Sequence, residues 1–586
     1  MKRALYLPLL LIMISAVYLY TASGRAVLDD GDALYAHVGQ EMVKRGDWVT
    51  PYANGVRFLD KPPMMYWLMA VSYRVFGISE FAARLPSAVA VLGTAMLLFF
   101  IGRETGGASS GFAAGVSVAF SIGTILFTRT VFPDMIFVFF LTLALISFLW
   151  WHSNRENQAL SAMVFYGSLA GAILTKGLIG VVFPLVIVAV FLFGMRDWRS
   201  LTKFHLGKGI LFFLALALPW HIIAARRNPG FLWYFFVNEQ LLRFLGRRQP
   251  VDYESISVPL FWVLILVWLF PWSAFFPAIR HLIQSPGDGR VETRAIVWMS
   301  LSWTLVVLIF FSISSRIEHY ALPLLPPLAL LVGITISPDN PGGFPGHDGR
   351  QRSVGRGFAM LGIAGGLVGA VFLTGVAAWV AGWRADQVLR GAAHHFHAYR
   401  HFFAPMFEFP PRILEQLRTP LMWTALALSA GLLCSWLLER HGHRMRAIMA
   451  LSLTMMVFSL FTSQSLGICE EILSSRQFGQ ALNRLYRGGD EAIVVGDYET
   501  ANSLNFYSPA NLDVYDGTAS VLQWGLRYPD SPARLLSRAE LELRWKSPRR
   551  VFLLCPNDLV RSLPLEKCYI VLESGDRTLL CNQNIG

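Results

Sequence analysis

The first 36 residues read MKRALYLPLLLIMISAVYLYTASGRAVLDDGDALYA: a short basic start, a long apolar run and then three aspartates. A membrane helix needs about 17 to 25 mostly apolar residues to cross a hydrocarbon core of roughly 30 Å. The run over residues 5–20 approaches that length and is long for the core of a signal peptide. Cleavage near residues 21–24 is the alternative, but we interpret the run as the first membrane helix, with the aspartates at its exit.

The rest of the chain has the same apolar character. Of the 586 residues, 54% are hydrophobic and only 15% are charged, and the mean hydropathy is +0.47. This composition excludes an average soluble globular protein. Runs long enough to span a bilayer recur about thirteen times. We therefore predict a mainly α, polytopic membrane protein with about 13 transmembrane helices and interfacial helices in the first periplasmic loop.

The chain changes character after about residue 464. Short strand-like segments at 491–498, 512–516, 550–555 and 569–572 alternate with helix-like segments at 475–486, 500–507 and 537–546. This alternation predicts a small C-terminal α/β domain. We accordingly divide the chain into a transmembrane domain, residues 1–463, and a C-terminal periplasmic domain, residues 464–586. Four of the five cysteines lie in the second part, where export would permit a disulfide.

The distribution of basic residues predicts the orientation. Lys2 and Arg3 precede the first span, so the positive-inside rule places the N-terminus in the cytoplasm. Every later loop on the same side then carries positive charge, for example at Arg103, Arg196 and Arg440. The scatter of these residues explains the formal net charge of +12 and argues against a nucleic-acid-binding domain.

The outside segments hold most of the polar residues that could carry chemistry. Placing the carboxylates of Asp30 and Asp32 beside lipid costs free energy unless they are hydrated, paired or metal-bound, which favours a functional site. The alternative interpretation is an acidic loop exposed to solvent. Lys61 precedes a proline-started, aromatic-rich helix, so it can meet a lipid phosphate at the membrane surface or serve only as an anchor.

Two further residues lie at the ends of predicted spans. Asp134 opens a helix, where the helix dipole favours an anion, and Lys176 ends one, where it favours a cation, so each has a structural alternative. The outside segment 226–257 departs from the charge bias. Its five arginines alternate with aromatic residues, a pattern suited to an anionic lipid headgroup or to a structural interfacial helix; they are Arg226, Arg227, Arg243, Arg247 and Arg248.

Histidines offer little support for a metal site. His397 and His401 have the spacing of zinc ligands and share a helical face with His394, but no carboxylate or cysteine stands at a matching spacing. An interfacial helix is the better interpretation.

Taken together, several short motifs resemble one family. They are DGDALYA at 30–36, GDWVTP at 46–51, NGVRFLDKP at 54–62, YW at 66–67, FPD at 132–134, TKG at 175–177 and HYALP at 319–323. The chain resembles the bacterial branch of the GT-C glycosyltransferases, which includes the aminoarabinose transferase of lipid A and, more distantly, the protein O-mannosyltransferases.

The resemblance implies roles for individual residues. The catalytic carboxylates would be Asp30, Asp32 and Asp134. The donor phosphate would be bound by Lys61, Lys176, Arg243, His319 and Tyr320. Tyr35 and Asp60 would position the substrate. The family's first motif, Asp-Glu before Tyr-Ala, falls on Gly31 and Asp32, which leaves open whether Asp30 or Asp32 is the primary carboxylate. Some relatives carry a histidine where this chain has Gln240, which argues against a bound metal.

The implied activity is that of an inverting membrane glycosyltransferase in the bacterial inner membrane, with its active site facing the periplasm. It would transfer a sugar from a polyprenyl-phosphate donor to lipid A or lipopolysaccharide, to another envelope glycan or to a protein. Its partners would be donor, lipid or protein acceptor and membrane lipids, without nucleic acid. No cofactor is predicted, and a divalent metal has no clear ligand set.

Two other classes compete with this prediction. A lipid-sugar flippase or transporter would also place charges in membrane helices, but it would gather them near the midplane, and the sequence shows no inverted repeat. A non-catalytic protein of envelope assembly would tolerate the loss of Asp30, Asp32 and Asp134.

Overall fold

The structure, a computed structural model, describes residues 3–153, 157–251, 255–284, 291–338, 347–380 and 411–585. Within these ranges nine helices are long and apolar enough to cross a membrane, or ten if one pair bent by 98° counts as a span. Two shorter apolar helices, Tyr6–Ala22 and Ile179–Met195, add to them. The predicted polytopic helical fold is confirmed.

The 40-residue helix Glu80–Ala119 contains a break. Gly106 and Gly107 leave the helical conformation, and Gly107 has φ +80°, which glycine adopts easily. The two halves fold back on each other, because a Cβ on Gly102 would lie 3.1 Å from Gly111 Cα. This helix therefore supplies two antiparallel segments. About thirteen spans were predicted, and the described residues contain nine, or ten with the bent pair.

The helices of the membrane domain share a high content of Leu, Val, Ile and Phe. They are Tyr6–Ala22, Glu80–Ala119, Asp134–His152, Gln158–Lys176, Ile179–Met195, Leu206–Arg227, Val258–Trp268, Phe276–Gln284, Val291–Ile313, Leu325–Ile336, His347–Val380, Pro411–Arg440 and Arg444–Ile468. Short 3-10 segments flank several of them: Arg3–Leu5, Trp198–Lys203, Trp272–Phe275 and Glu318–Leu324. The short helix Ile122–Phe127 precedes Asp134–His152.

Between the first two membrane helices the chain forms a layer of short elements, which we call the first outer layer. The helices Gly31–Arg45 and Met64–Phe76 pack together and enclose a hairpin of β1, Tyr52–Ala53, and β2, Val56–Arg57. The hairpin turns at Asn54 and Gly55, both with positive φ, the pattern of a type I′ turn. These helices occupy the segment for which interfacial helices were predicted.

The C-terminal region forms a six-stranded sheet. Its strands are β3, Glu491–Val495; β4, Leu512–Tyr515; β5, Leu535–Leu536; β6, Val551–Pro556; β7, Tyr569–Ser574; and β8, Arg577–Cys581. The order is β5-β4-β3-β6-β8-β7, with β5, β4, β3 and β6 parallel and β8 antiparallel to β6 and β7. Its helical segments are Glu470–Leu473, Arg476–Leu485, Tyr498–Thr500, Ser503–Tyr507, Ser520–Leu522, Gly525–Arg527 and Arg538–Trp545.

The C-terminal domain packs on the first outer layer. Asn54 is fully buried at the hairpin turn, and its amide pairs with both backbone groups of Leu512, the first residue of β4: Nδ2 donates to the carbonyl and Oδ1 accepts from the N–H, each at 2.7 Å. Farther along, Arg57 pairs with Asp530 at 2.6 Å. The sheet thus lies over the same ends of the membrane helices as the predicted site residues.

Candidate active site

Asp32 is held inside the protein. Its side chain is 3% exposed, and Oδ2 accepts hydrogen bonds from the backbone N–H of Leu28 at 2.9 Å and from Arg84 Nη2 at 3.1 Å. Oδ1 accepts one from the N–H of Val131 at 2.7 Å, and Arg25 Nη1 lies 3.8 Å from Oδ2. Both oxygens are therefore committed to contacts that join the first outer layer to the membrane helices.

Asp30, two residues earlier, has an exposed side chain. It immediately precedes the helix Gly31–Arg45, where the helix dipole stabilises a negative charge. Its φ of +72° and ψ of −137° are rare for a residue other than glycine, and such strain is found most often at functional sites. The structure thus gives the two aspartates of one motif opposite environments.

The aromatic ring of Phe132 connects the DGDALYA motif at 30–36 to the FPD motif at 132–134. A Cβ on Gly31 would lie 2.9 Å from Phe132 Cε1, so the absence of a side chain lets the helix start pack directly on the Phe132 ring. Phe132 stacks on His319 with ring centroids 5.3 Å apart and planes at 12°, and it lies 5.9 Å from the ring of Tyr35. Asp30 therefore begins a helix that contacts the ring against which His319 stacks.

Four predicted site residues meet on the other side of that ring, and we call them the Asp134 group: Asp134, Lys176, His319 and Tyr320. Asp134 is 2% exposed; Lys176 Nζ donates a hydrogen bond to its Oδ1, and His319 Nε2 lies 3.9 Å from its Oδ2. Lys176 Nζ also lies 4.8 Å from the centroid of the Tyr320 ring. Residues separated by almost 190 positions in the chain thus form one ion-paired cluster.

A second cluster surrounds Glu239, whose side chain is 1% exposed. Arg243 Nη2 donates a hydrogen bond to its Oε2 at 2.8 Å, Arg248 Nε donates one to its Oε1 at 2.5 Å, and Lys61 Nζ lies 4.0 Å from Oε2. Burial opposes ionisation, but the three cations, led by Arg243, hold the pKa of Glu239 below its ordinary value. One buried carboxylate thus fixes three basic side chains.

Asp60 completes this cluster, which we call the Glu239 group: Asp60, Lys61, Glu239, Arg243 and Arg248. Asp60 accepts hydrogen bonds from Tyr234 OH at 2.5 Å and from Arg248 Nη2 at 3.0 Å. Burial, together with the negative charge of Glu239, raises the pKa of Asp60 to about 6. The group therefore changes its net charge within the neutral to mildly acidic range.

The two clusters adjoin. Lys61 interacts electrostatically with Tyr320 as well as with Arg243, and His319 interacts with both Lys61 and Arg243. The side chains of Lys61 and Arg243 are each 22% exposed, so they present positive charge at the surface of the cluster. Burial and the charge of Arg243 lower the pKa of Lys61. Every predicted phosphate-binding residue therefore belongs to this continuous polar region.

An unusual helix places the Glu239 group. The segment Trp233–Leu242 is a π-helix, a rare form that occurs frequently at functional sites. It points Tyr234, Asn238 and Glu239 inward, where all three are buried. Asn238 also pairs with both backbone groups of Gln249, donating to the carbonyl at 2.8 Å and accepting from the N–H at 3.0 Å. This pairing brings Arg248 back onto Glu239.

In the part of the chain that the structure describes, no group of three or more His, Cys, Asp or Glu side chains could hold a metal ion. His394, His397 and His401 lie outside the described residues. Gln240, at the position where some relatives carry histidine, instead accepts a hydrogen bond from the backbone N–H of Leu178 at 3.2 Å.

Three residues of the site were not assigned roles from the sequence: Tyr234, Glu239 and Arg248. Only the arginine excess in an outside loop pointed to this segment, and an excess of positive charge does not reveal a buried acid that organises it. Glu239, the one glutamate between Arg226 and Arg248, was the available signal.

Comparison with known proteins supports the fold and the family. Residues 60–223 match the family described as dolichyl-phosphate-mannose-protein mannosyltransferase. The undecaprenyl phosphate-alpha-4-amino-4-deoxy-L-arabinose arabinosyl transferase of Serratia proteamaculans is 32% identical over 336 residues, which are 55% of this chain and 58% of that protein. An uncharacterised protein of Aquifex aeolicus is 29% identical over 339 residues, 58% of this chain and 74% of its own length.

A solved structure matches almost the whole chain. The crystal structure of ArnT from Cupriavidus metallidurans bound to undecaprenyl phosphate superposes with a TM-score of 0.80 at 21% identity, covering 99% of this chain and 98% of that one. At this level of identity the match shows the fold. It includes the C-terminal sheet as well as the membrane helices, whereas the sequence match to the arabinosyl transferase covers little more than half of either protein.

Proposed function

We propose that this chain transfers a sugar from a polyprenyl-phosphate donor to an acceptor at the outer surface of the inner membrane. The chain has the GT-C fold and is related to the polyprenyl-phosphate-sugar glycosyltransferases of the aminoarabinose transferase type. One observation carries this proposal: the Glu239 group and the Asp134 group present lysine and arginine charge, and the ring of Phe132, which stacks on His319, packs against the start of the helix that the exposed Asp30 precedes. Sugar transfer from a phosphate-linked donor requires cations that stabilise the leaving phosphate and a carboxylate that can act as general base.

The cations would bind the donor phosphate. Lys61, Arg243 and Arg248 against Glu239 and Asp60 leave the Glu239 group with one net positive charge when both carboxyls are ionised. Arg243 presents a planar guanidinium and Lys61 a point charge, and both are partly exposed. Arg248 is 6% exposed and remains committed to Glu239 and Asp60. The donor phosphate therefore belongs beside Lys61 and Arg243, with Lys176, His319 and Tyr320 at the adjoining edge.

Asp30 would act as the base. The acceptor hydroxyl attacks the anomeric carbon from the face opposite the phosphate, its proton passes to the Asp30 carboxylate, and the bond between the anomeric carbon and the phosphate oxygen breaks. The bonding electrons leave with the polyprenyl phosphate, which gains one negative charge. Lys61, Arg243 and Lys176 stabilise that charge as it develops, where fixed cations act most strongly.

Asp134 would have a supporting role. Its carboxylate accepts a hydrogen bond from Lys176 and faces His319, so it orients the ammonium group at the edge of the site. Asp32, with both oxygens committed to buried partners, would support the fold of the motif, and Tyr35 would line the site against Phe132. Asp60 would position the phosphate-binding residues through Arg248.

The periplasmic orientation rests on the charge distribution. The ends of the membrane helices remote from the C-terminal domain carry Arg103, Arg196, Arg440 and Arg444, as the positive-inside rule requires of the cytoplasmic face. The candidate site and the C-terminal sheet lie at the opposite ends and would therefore face the periplasm.

The test is transfer of radiolabelled sugar in proteoliposomes. A panel of polyprenyl-phosphate sugars is offered with total envelope lipid and protein as acceptors, and the protein is compared with Asp30→Asn. Asp530→Asn, which removes an exposed carboxylate of the C-terminal domain, is the matched control. We expect label in a lipid or protein fraction with the unaltered protein and the control but not with Asp30→Asn.

Two other results would contradict the proposal. Label that stays on the donor while the donor changes leaflet would indicate a flippase. Equal transfer by the unaltered protein and Asp30→Asn would show that Asp30 is not the base. The fraction that receives the label identifies the acceptor class.

A further inference from the structure

We propose that Asn502 of the C-terminal domain is a positioning residue for Asp30, so that the C-terminal domain completes the active site rather than only covering it. This inference rests on the role proposed above for Asp30.

The backbone of Asp30 requires an external constraint. Its φ of +72° and ψ of −137° lie in a region that residues with a Cβ rarely occupy. Such a conformation persists only where contacts with the surrounding structure outweigh the backbone preference of the residue itself. Because Asp30 precedes the helix Gly31–Arg45, a change in these angles would turn its side chain away from the site while leaving the helix intact.

Asn502 supplies that constraint. Its Oδ1 accepts a hydrogen bond from the Asp30 N–H at 2.9 Å, and its Nδ2 donates one to the Asp30 carbonyl, also at 2.9 Å. The Asp30 N–H is shared with the carbonyl of Glu499 at 2.9 Å. Asn502 is 1% exposed, so water does not compete for its amide. A primary amide is well suited to this pairing, because one planar group offers a donor and an acceptor side by side.

The residues on either side of Asp30 are anchored to different parts of the molecule. Asp29 is tied to the C-terminal domain: its carboxylate accepts from Ser475 Oγ at 2.9 Å and from the Ser503 N–H at 2.8 Å, and Arg577 Nη1 lies 3.2 Å away. Asp32 is tied to the membrane domain through Arg84. Asp30 lies between these anchors, so its orientation depends on how the two domains are joined.

The consequence for the reaction is specific. The residues assigned to the donor phosphate are held by Glu239 and Asp134, neither of which contacts Asn502. Loss of the Asn502 amide should therefore impair the base without weakening donor binding. The turnover number would fall and KM for the donor would stay the same, because misplacing a catalytic group affects the reacting geometry.

The experiment compares Asn502→Ala with Asn505→Ala in full-length protein in proteoliposomes. Asn505 is a matched control: it is a buried amide three residues along, and its Nδ2 donates to Asn54 Oδ1 at 3.2 Å and to the Ala510 carbonyl at 2.9 Å without touching Asp30. We expect Asn502→Ala to lower kcat about tenfold to a hundredfold with KM for the donor unchanged. Asn505→Ala should lower the melting temperature but keep kcat per folded molecule.

A double-variant cycle separates positioning from general stability. Once Asp30→Asn has removed the base, adding Asn502→Ala should reduce the residual kcat no further, because both substitutions act through the same carboxylate. Asn502→Ser is included in case Asn502→Ala folds poorly, since its hydroxyl can still accept from the Asp30 N–H; we expect an intermediate kcat.

Three outcomes would overturn the inference: an unchanged kcat in both Asn502 variants, equal losses for Asn502→Ala and Asn505→Ala, or independent losses in the cycle with Asp30→Asn. The absence of transfer by the unaltered protein would instead contradict the proposed function, so the two failures are distinguishable.

Discussion

Two aspartates separated by one glycine illustrate how burial sorts similar residues into different tasks. Asp32 is held by Arg84, the Leu28 and Val131 backbone and nearby Arg25, whereas the side chain of Asp30 is exposed. A buried carboxylate whose oxygens are already paired cannot accept the proton of a substrate without losing a structural contact. The two positions should therefore respond differently to the same substitution.

We predict that Asp32→Asn destabilises the protein while Asp30→Asn inactivates it. Removing one partner of a buried ion pair costs about 3–5 kcal/mol, so Asp32→Asn should lower the melting temperature and the folded yield. Asp30→Asn should keep both and lower kcat about a hundredfold to ten-thousandfold, the usual contribution of general base catalysis. Thermal unfolding and transfer assays on both proteins check this, and normal stability of Asp32→Asn would contradict it.

Asp60 gives the site a dependence on pH. Its pKa of about 6 means that acidification through this value removes a negative charge beside Arg248 and Lys61 and makes the Glu239 group more positive. A phosphodiester donor keeps its charge over this range, so we predict that KM for the donor falls as pH falls from about 7 to about 5. Steady-state kinetics over this range test the prediction, and Asp60→Asn should abolish the dependence. A dependence that persists in Asp60→Asn would assign it to another group.

The same titration has a consequence for stability. The folded-state pKa of Asp60 is raised, so between the ordinary aspartate value and about 6 the folded protein binds more protons than the unfolded chain. The contribution of Asp60 to the free energy of unfolding is therefore greatest below that range and is lost as pH rises through about 6.

Sequence reasoning identified the residue types of the site but not their division of labour. Asp134, Lys176, His319 and Tyr320 could be predicted because each stands in a short motif at the end of a span, and the structure brings them together. The choice between Asp30 and Asp32 could not be made, because it depends on Arg84 and on Asn502, one of them more than 450 positions away. Local sequence does not encode such distant partners.

At the scale of elements, the π-helix Trp233–Leu242 determines where the charges proposed to bind the donor phosphate lie. In this form each N–H bonds to the carbonyl five residues earlier, so the segment contains more residues per turn than an α-helix. Tyr234 reaches Asp60 and Glu239 reaches Arg248 from the same helix. Periodicity of hydrophobic residues predicts α-helices, with 3.6 residues per turn, and therefore could not show this register.

We predict that deleting Phe236 from the π-helix disrupts donor binding. The shorter segment would adopt α-helical spacing, which rotates the residues that follow by about 100° relative to those before. Tyr234 and Glu239 could then no longer contact their partners together, and KM for the donor should rise at least about tenfold. Leu241→Ala, at a 53% exposed position of the same segment, is the control and should leave KM unchanged. An unaltered KM after the deletion would show that the register is not required.

Other elements followed directly from the sequence. The four predicted strands of the C-terminal domain appear as β3, β4, β6 and β7, because each is a short apolar run between polar residues. β5 and β8 were not predicted. β5 has only two residues. β8, RTLLC, pairs in a hairpin with β7 across Gly575 and Asp576, a two-residue turn signal that could have predicted this strand.

At the scale of the whole molecule, the membrane domain and the C-terminal domain contact each other through one interface, the shared surface. Asn54 pairs with Leu512, Asp29 with Arg577, and Trp524 stacks on Tyr234 with ring centroids 4.4 Å apart and planes at 11°. The fold predicted from the motifs is confirmed by the match to the ArnT structure, and the predicted resemblance by the similarity to the arabinosyl transferase sequence. The contacts between the domains could not be predicted, because they join segments that are distant in the chain and show no shared pattern.

This shared surface makes the sidedness of the site testable through the C-terminal domain. Leu543 is 73% exposed on that domain, and His441 is exposed in the turn between Pro411–Arg440 and Arg444–Ile468, at the opposite ends of the membrane helices. Cysteines at these two positions, in a background with Cys434 and Cys568 replaced by serine, report on the two faces; the other three native cysteines are buried. The reporter is a membrane-impermeant maleimide applied to intact spheroplasts.

We predict that Leu543→Cys reacts in intact spheroplasts and that His441→Cys reacts only after the membrane is permeabilised. The physical reason is the arginine content of the remote loops, which the positive-inside rule retains in the cytoplasm. Because the C-terminal domain contacts Asp30 directly, labelling of Leu543→Cys from outside would place Asp30 and the cations proposed to bind phosphate in the periplasm. The reverse labelling would place the site in the cytoplasm and contradict an outward-facing transferase, whatever the outcome of the transfer assay.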